Sequence, residues 1–498
     1  MTNRISRRLF LTSTAAFVAT SACAGAPERS LRPNARVGNA ARRVEPASEA
    51  LVRASGLSGT VGFAVIDLRS GKVLEERASA ASLPPASVTK AVTAIYALET
   101  LGAGHRFTTR VLATGGVSGG IVAGDLILAG GGDPTLDTDT LARLAGRLKA
   151  AGITEVRGRF LVWGGAIPFA KQIDPNQPDH VGYNPALSGL NLNFNRVHFE
   201  WRRASGKWRT TMDARSASHR PDVTIARMQI VQRSSPIYTY EDRGGRDNWT
   251  VASGALGKGG ARWLPVRKPA LYAGEVFQTF ARAQGIVLKA PVEIKSLPTG
   301  QSLAQVDSAP LDVIARDMLK FSTNLTAELL GLMASAKRLG RPQPLSASAK
   351  EMTRWARSRL KMGSGAKFVD HSGLGDTSRV TASDMAAALA AVRGSGPLRS
   401  LMKNIPMRDA KGNVLKGSPV KVDAKTGTLN FVSSLAGYAT SADGRELSFA
   451  IFAADTRRRA EIPRAQRERP QGARSYNRAA KRLQQKLLQR WGRVYGAS

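Results

Sequence analysis

The stretch PPASVTKAVTAIYALETLG, Pro84–Gly102, places a serine and a lysine three residues apart at the start of an apolar run. Positions three apart are neighbours on a helix, so the hydroxyl of Ser87 and the ammonium of Lys90 would be in contact. Two interpretations fit this stretch by itself. Either Ser87 caps a helix beside a solvated lysine, or Ser87 is a nucleophile beside its base.

Composition and charge narrow the class of protein. The 498 residues are 42% hydrophobic, which is enough for sizeable packed cores, and they carry a formal net charge of +36. Such a charge favours anionic neighbours. We predict no binding to nucleic acid, because the charge is spread along the whole chain, only 6% of the residues are aromatic, and basic and aromatic residues do not interleave.

Residues 1–26 have the pattern of a secretory signal peptide, with a basic start, an apolar run and small residues at the end. Within them SRRLFL, residues 6–11, resembles a twin-arginine export signal, so we predict a periplasmic protein exported by that route. The single cysteine, Cys23, supports a second interpretation, a lipid attachment site. The default prediction is cleavage after Ala24 or Ala26, followed by a basic linker over residues 27–44.

Hydrophobic patterning divides the rest of the chain into three parts. Residues 45–114 predict a helix, a β-hairpin that turns at Ser70-Gly71, and the helix of the opening stretch. Residues 115–270 mix short strands, glycine-rich turns and one amphipathic helix, which indicates an inserted region. Residues 271–498 return to long helices and to two apolar strands joined at Asp443-Gly444.

The chain closes on a basic amphipathic helix. From Arg457 onward there are thirteen Arg and Lys residues but two glutamates, which favours peripheral contact with anionic polymers and lipids of a cell envelope. A helix of this kind either covers a sheet or lies on a membrane surface, and we favour the sheet. Its predicted apolar side consists of Ala480, Leu483, Leu487, Trp491 and Val494.

Two later motifs change the interpretation of the opening stretch. KFSTNLTAELL supplies Ser322 and Asn324 in a helical region, and DAKTGTLNF supplies Lys425, Thr426 and Gly427 in a strand region. Each motif is weak by itself. The order Ser-x-x-Lys, Ser-x-Asn, Lys-Thr-Gly is specific, and it resembles the signature of penicillin-binding proteins and class A β-lactamases.

The same Ser-x-x-Lys spacing recurs twice. Ser364 stands among glycines, and the segment after Ser418 contains a proline, so neither starts a helix. Ser87 is therefore the candidate nucleophile.

The distance between Ser87 and Ser322 exceeds what a minimal β-lactamase-like domain needs, so an insert must interrupt the catalytic domain. This arrangement resembles the D-alanyl-D-alanine carboxypeptidase/D-alanyl-D-alanine-endopeptidase family, the DacB-like class C low-molecular-mass penicillin-binding proteins, over roughly residues 48–497. GDLILAGGGDPTLD and VDHSGLGDTSRVTA resemble family segments. Thr323 and His371 depart from the family, which frequently has Asp and Gly there, and we expect activity to survive both changes.

The resemblance implies an α+β fold, in which an antiparallel catalytic sheet with helices on both faces is interrupted by a large inserted α/β region. It also implies a serine peptidase that removes the terminal D-alanine of peptidoglycan stem peptides, that cleaves D-Ala-diaminopimelate cross-links as a second activity, and that is inhibited by β-lactams. No metal or cofactor is expected. Asp179, in the insert, is a weak candidate for contact with the stem-peptide side chain, and a surface-loop aspartate is an equal interpretation.

The resemblance also implies roles for the site residues. Ser87 would attack the carbonyl of the penultimate D-alanine, and Lys90 would act as base, its ammonium disfavoured by the nearby cation Lys425. Ser322 would relay a proton to the leaving amine, and Asn324 would hold the peptide backbone. Lys425 and Thr426, beside Gly427, would bind the substrate carboxylate. The backbone N–H groups of Ser87 and Thr428 would form the oxyanion hole.

Two alternatives remain open from the sequence. One is a β-lactamase or esterase of the same fold, which the long insert disfavours. The other is a catalytically silent envelope-binding protein, which has no need of the complete set of motif residues. The oligomeric state has no sequence signal.

Overall fold

The computed structural model describes residues 45–409 and 411–496. The predicted signal peptide and linker, with Cys23, lie outside the described residues. Pro46–Ser498 forms one compact unit. In the described ranges, no helix combines the length and the apolar character that crossing a bilayer requires.

The described part of the chain alternates helices with short and long strands. The helices are α1 (Ser48–Ala54), α2 (Thr89–Leu101), α3 (Thr138–Ala150), α4 (Pro269–Ala283), α5 (Leu311–Phe321), α6 (Asn324–Leu339), α7 (Leu345–Arg359), α8 (Ala382–Val392), α9 (Leu398–Leu401), α10 (Thr456–Ala460) and α11 (Ala473–Val494). The strands are β1 (Thr60–Asp67), β2 (Val73–Arg77), β3 (Thr108–Ala113), β4 (Val117–Ser118), β5 (Ile121–Val122), β6 (Leu126–Gly130), β7 (Glu155–Val156), β8 (Phe160–Trp163), β9 (Arg196–Ala204), β10 (Lys207–Asp213), β11 (Ala226–Val231), β12 (Tyr238–Arg243), β13 (Arg246–Ala252), β14 (Gly259–Pro265), β15 (Pro291–Ile294), β16 (Gln301–Asp307), β17 (Lys403–Asn404), β18 (Lys421–Leu429), β19 (Val432–Thr440) and β20 (Glu446–Ala454).

The sheet that carries the candidate site is antiparallel and joins the two ends of the described chain. Its strand order is β17-β18-β19-β20-β1-β2. Alternate residues of β1 face opposite ways, as in any strand. Ala64 and Ile66 pack with helices α2, α5, α6, α7 and α8, whereas Phe63 and Val65 pack with α1 and α11. Helices therefore cover both faces of the sheet, and the predicted α+β fold class is confirmed.

The last helix, α11, covers the sheet. The indole of Trp491 is fully buried, with ring-centroid distances of 5.6 Å to Phe63 and 6.2 Å to Phe449. Ala480, Leu483 and Leu487 are buried beside it. The prediction that this helix belongs to the core is confirmed. Val494 is the exception, because its side chain is 41% exposed.

A second core lies in the middle of the sequence. It is built from α3, α4 and a five-stranded sheet of order β15-β8-β6-β3-β16, with smaller sheets formed by β9–β14 and by β4, β5 and β7. The five-stranded sheet takes β3, β15 and β16 from outside residues 115–270. The boundaries of the insert, residues 115 and 270, remain a prediction. The strand pairing shows that residues on both sides of this range contribute strands to the second core.

The helical region predicted around Ser322 consists of two helices with a break between them. Helix α5 ends at Phe321, Ser322 takes a left-handed conformation with φ 61°, and α6 begins at Asn324. The break was not predicted, because apolar periodicity runs on through both helices and hides it. The break turns the serine and the asparagine toward the same site.

Candidate active site

Ser87 and Lys90 meet at the start of α2. Ser87 lies in a single 3₁₀ turn, Ala86–Val88, directly before the helix. The Nζ of Lys90 is 3.0 Å from the Oγ of Ser87. It also donates to the Oδ1 of Asn324 at 2.8 Å and to the backbone oxygen of Ser372 at 2.7 Å. The predicted contact between serine and lysine is present in the structure.

These three partners suit both protonation states of Lys90. An ammonium has three N–H donors, one for each oxygen. A neutral amine keeps two donors, for Asn324 and Ser372, and can accept the proton of the Ser87 hydroxyl. The lysine can therefore lose its proton without moving and without leaving a partner unpaired.

Burial controls the proton affinity of Lys90. The side chain is fully buried, and this burial lowers its pKa to about 8. The carboxylates of Glu328 and Asp370 act in the opposite direction, because a negative charge favours the ammonium. The expectation named the positive charge of Lys425 and missed burial, which is the main cause; repulsion between the two lysines acts in the expected direction.

Lys425, on β18, is bound to the second serine of the site. Its Nζ donates to the Oγ of Ser322 at 2.9 Å and to the backbone oxygen of Thr426 at 2.8 Å. Burial lowers its pKa well below the ordinary value, and the positive charges of Lys90 and Lys403 lower it further. Each buried lysine therefore contacts a different serine, Lys90 contacting Ser87 and Lys425 contacting Ser322.

Strand β18 passes directly beside the backbone of the Ser87 turn. A Cβ at Gly427 would lie 2.7 Å from the oxygen of Pro85 and 3.1 Å from the nitrogen of Ser87. Only glycine permits that approach. Thr426 and Thr428, on alternate positions of the strand, are exposed on the opposite side.

A cavity of about 310 Å³ opens over these groups. Four residues predicted from the sequence line it: Ser87, Ser322, Asn324 and Thr428. Lys90 and Lys425 lie buried behind the two serines. Thr426 and Gly427 do not line the cavity.

The remaining wall of the cavity was not predicted. It includes Gln177 and Tyr183 from the middle of the chain and Arg459, Arg467 and Glu468 from the segment before α11. The backbone oxygen of Tyr183 accepts a hydrogen bond from the Nδ2 of Asn324 at 2.9 Å. No local pattern marks these residues, because they converge from distant parts of the sequence.

Ion pairs fix the charged part of this wall. Arg459 and Arg467 both bind the carboxylate of Asp376. Glu468 accepts hydrogen bonds from Arg262 at 2.9 Å and from His180 at 2.8 Å. These hydrogen bonds lower the pKa of Glu468 to about 2, and the bond from His180 has the largest effect.

The three other residues singled out from the sequence lie away from the cavity. His371 is fully buried, and its Nε2 is 2.8 Å from the Oγ of Ser348, so this departure from the family faces the core. Thr323 is half-buried just before α6. Asp179 forms an ion pair with Arg464 at 2.9 Å, and its side chain does not line the cavity.

Sequence reasoning also missed Glu328 and Asp370, two buried carboxylates near Lys90. The available signal was the position of Glu328, four residues after Asn324 in the largely apolar first half of the helix. Four residues are about one helical turn, so both side chains lie on the same face. A carboxylate on that face is unusual unless it has buried partners.

The fold and this cluster of serine, lysine and amide groups define the class, that of the penicillin-binding DD-peptidases. The structure resembles the crystal structure of penicillin binding protein 4 (dacB) from Haemophilus influenzae, with a TM-score of 0.68, 20% identity, and coverage of 86% of this chain and 99% of that one. At this identity the likeness shows the fold.

The particular family follows from the sequence comparisons. The model of the D-Ala-D-Ala carboxypeptidase 3 (S13) family matches residues 48–471, and the chain belongs to that family. A D-alanyl-D-alanine carboxypeptidase of Actinomadura sp. is 28% identical over 81% of this chain and 79% of its own length. A carboxypeptidase of Mycobacterium tuberculosis is 30% identical over 82% and 78%. The predictions of the family and of a serine-type D-Ala-D-Ala carboxypeptidase, a hydrolase, are confirmed.

Proposed function

We propose that the chain removes the terminal D-alanine of peptidoglycan stem peptides through an acyl-enzyme at Ser87. The observation that carries this proposal is the 3.0 Å contact between the Oγ of Ser87 and the Nζ of a fully buried lysine, at the edge of an open cavity. A serine hydroxyl is a weak nucleophile near neutral pH and needs such a base.

Acylation begins with the neutral amine of Lys90. It takes the proton of the Ser87 hydroxyl while the Oγ bonds to the carbonyl carbon of the penultimate D-alanine. A positioned base of this kind contributes about 10² to 10⁴ in rate. The oxyanion that forms accepts hydrogen bonds from the backbone N–H groups of Ser87 and Thr428. The close approach of Gly427, the residue before Thr428, to the nitrogen of Ser87 supports this assignment.

Collapse of the oxyanion breaks the C–N bond and releases the terminal D-alanine. Its amine takes a proton from the hydroxyl of Ser322, which the Nζ of Lys425 supports at 2.9 Å. The proton that Lys90 took from Ser87 restores the Ser322 hydroxyl, so Ser322 acts as a relay and Lys90 is neutral again. Lys425 and Thr426 attract the substrate carboxylate, and Asn324 holds the peptide backbone. Water then hydrolyses the ester at Ser87. We expect the same steps to cleave D-Ala-diaminopimelate cross-links, and a β-lactam to stop at the acyl-enzyme.

The location and the surroundings of the enzyme belong to the same proposal. Peptidoglycan lies outside the cytoplasmic membrane, which agrees with the predicted signal peptide, the twin-arginine route and a periplasmic destination. We also propose that the insert forms a domain of its own, and that exposed cations of α11 make peripheral contact with anionic components of the envelope. The exposed cations are Arg474, Arg478, Lys481, Arg482, Lys486 and Arg493.

Purified muropeptides with pentapeptide stems test the proposal. We expect free D-alanine to appear with the wild-type protein and with Ser364→Ala, which alters an exposed Ser-x-x-Lys of the same spacing. We expect none with Ser87→Ala. D-Alanine release by Ser87→Ala would overturn the proposed nucleophile. Cross-linked dimers in the same assay separate endopeptidase from carboxypeptidase action.

A further inference from the structure

Glu328 is a fully buried glutamate one helical turn after Asn324 on α6. Both of its carboxylate oxygens accept backbone hydrogen bonds, Oε2 from the N–H of His371 and Oε1 from the N–H of Ser372, each at 2.9 Å. The carboxylate therefore fastens the loop that contains His371 and Ser372 to helix α6.

The same segment holds the base. The backbone oxygen of Ser372 accepts from the Nζ of Lys90 at 2.7 Å, and Asn324, on the same face of α6 as Glu328, accepts from it at 2.8 Å. Of the three oxygens around the Nζ of Lys90, that of Asn324 belongs to α6, and that of Ser372 belongs to the segment that Glu328 binds. Without the Glu328 contacts, Ser372 would be held less firmly against Lys90, and both the position of the amine and its hydrogen bonding would change.

The charged and titratable groups around Glu328 are few. From α2 it faces Lys90, and from the segment after α7 it faces Asp370 and His371. Burial lowers the pKa of His371 to about 3, so that ring is neutral. Asp370 accepts the N–H groups of Gly373 and Gly375, each at 2.6 Å. Lys90 is the cation among them.

A buried carboxylate is costly when its only task is to bind two peptide N–H groups, because a neutral acceptor can bind them without a buried charge. The charge of Glu328 has an effect that a neutral group lacks, since it favours the ammonium form of Lys90. Burial, together with the negative charge of Asp370, raises the pKa of Glu328 to about 8, and the positive charge of Lys90 opposes that rise, so Glu328 is ionised most fully in the pH range where Lys90 becomes a base.

We propose that Glu328 is a positioning residue that holds the Ser372 segment against Lys90 and sets the pH at which Lys90 becomes a base. This inference rests on the proposed function of Ser87 and Lys90. Glu328 does not line the cavity. It acts through the lysine.

The test is the pH dependence of acylation by a fluorescent penicillin. In the wild-type protein the rate rises with pH, because the neutral amine is the base, and the midpoint lies near the pKa of Lys90, about 8. Glu328→Gln removes the negative charge, so the pKa of Lys90 falls and the midpoint moves to lower pH, by about one unit or more. An unchanged midpoint, with or without a lower maximal rate, would overturn the proposal.

Glu351→Gln is the matched control. Glu351 is also a buried glutamate, on the neighbouring helix α7, and it is paired with Arg338 and Arg354. Its carboxylate is not among the charges that act on Lys90. We expect this variant to lose stability and to keep the wild-type midpoint.

A second measurement applies when Glu328→Gln does not fold. Lys90→Met leaves buried carboxylates without their cation, and the double variant Lys90→Met/Glu328→Gln removes one of these charges. We expect the double variant to melt at a higher temperature than Lys90→Met. An equal or lower Tm would contradict the coupling. These melting curves need no catalysis, so they separate this inference from a failure of Ser87 to acylate.

Discussion

At the scale of residues, the site depends on a lysine that is satisfied in two protonation states. The Nζ of Lys90 contacts oxygens of Ser87, Asn324 and Ser372, and the carboxylates behind it oppose the effect of burial. The amine is therefore held in position before a substrate arrives. Such preorganisation avoids the cost of reorienting groups during the reaction.

The motif residues could be predicted from their order in the sequence, but their environment could not. Ser87, Lys90, Ser322, Asn324 and Lys425 do come together, as expected. The main cause of the lowered pKa of Lys90, its burial, was missed, because burial by distant segments has no local signal in a single sequence. The same limitation hid Glu328 and the charged wall of the cavity.

The close approach at Gly427 leads to a prediction for a single Cβ. Gly427→Ala puts a methyl group 2.7 Å from the oxygen of Pro85, so β18 must move away from the Ser87 turn. We expect acylation by penicillin to slow by about 10², the effect of losing one oxyanion donor. Gly146→Ala is the control, since nothing lies within 4 Å of its Cβ. A wild-type acylation rate in Gly427→Ala would refute this role for the glycine.

At the scale of elements, two helical regions show what periodicity does and does not reveal. The hydrophobic stripe of α11 predicted its packing on the sheet, and the structure agrees. The apolar pattern of α5 and α6 is continuous, so the left-handed Ser322 between them was not foreseen. The left-handed conformation of Ser322 depends on contacts within the site, and hydrophobic periodicity carries no information about such contacts.

The packing of α11 gives a prediction for stability. Trp491→Ala removes a fully buried indole from its contacts with Phe63 and Phe449, and we expect the free energy of unfolding to fall by about 3–5 kcal/mol. Urea denaturation measures this change. Val494→Ala, in the same helix but 41% exposed, should change the free energy of unfolding by less than about 0.5 kcal/mol. Equal losses in the two variants would show that α11 is not held by its buried face.

At the scale of the whole molecule, the two ends of the described chain close the sheet that carries the site. Strand β1 pairs with β20, and the middle of the sequence forms a second core between them. The sequence predicted that an insert interrupts the catalytic domain, because Ser87 and Ser322 are widely separated along the chain. It did not predict that strands on both sides of residues 115–270 would join the five-stranded sheet, since strand pairing is a long-range property.

The net charge of +36 leads to a prediction for association. Helix α11 contains no acidic residue, so every charge on its exposed face is positive. We expect Lys481→Glu/Arg482→Glu/Lys486→Glu to weaken sedimentation with phosphatidylglycerol vesicles, and added salt to weaken that of the wild type. Vesicles of phosphatidylcholine should not sediment either protein.

The matched control reverses three exposed cations of the middle region, Lys207→Glu/Arg209→Glu/Lys258→Glu. Both triple variants change the net charge by the same amount. An equal loss of sedimentation in the two would contradict a special role for α11 and would leave the overall charge as the cause.

The central claim is that Ser87 is the nucleophile of this carboxypeptidase, and the most direct measurement is the position of a covalent β-lactam adduct. Purified protein is incubated with a fluorescent penicillin, digested and mapped by mass spectrometry. The account predicts a stable adduct on the peptide that contains Ser87, and no label in Ser87→Ala. A label on another residue, equal labelling of Ser87→Ala, or rapid release of hydrolysed penicillin, as in a β-lactamase, would contradict it.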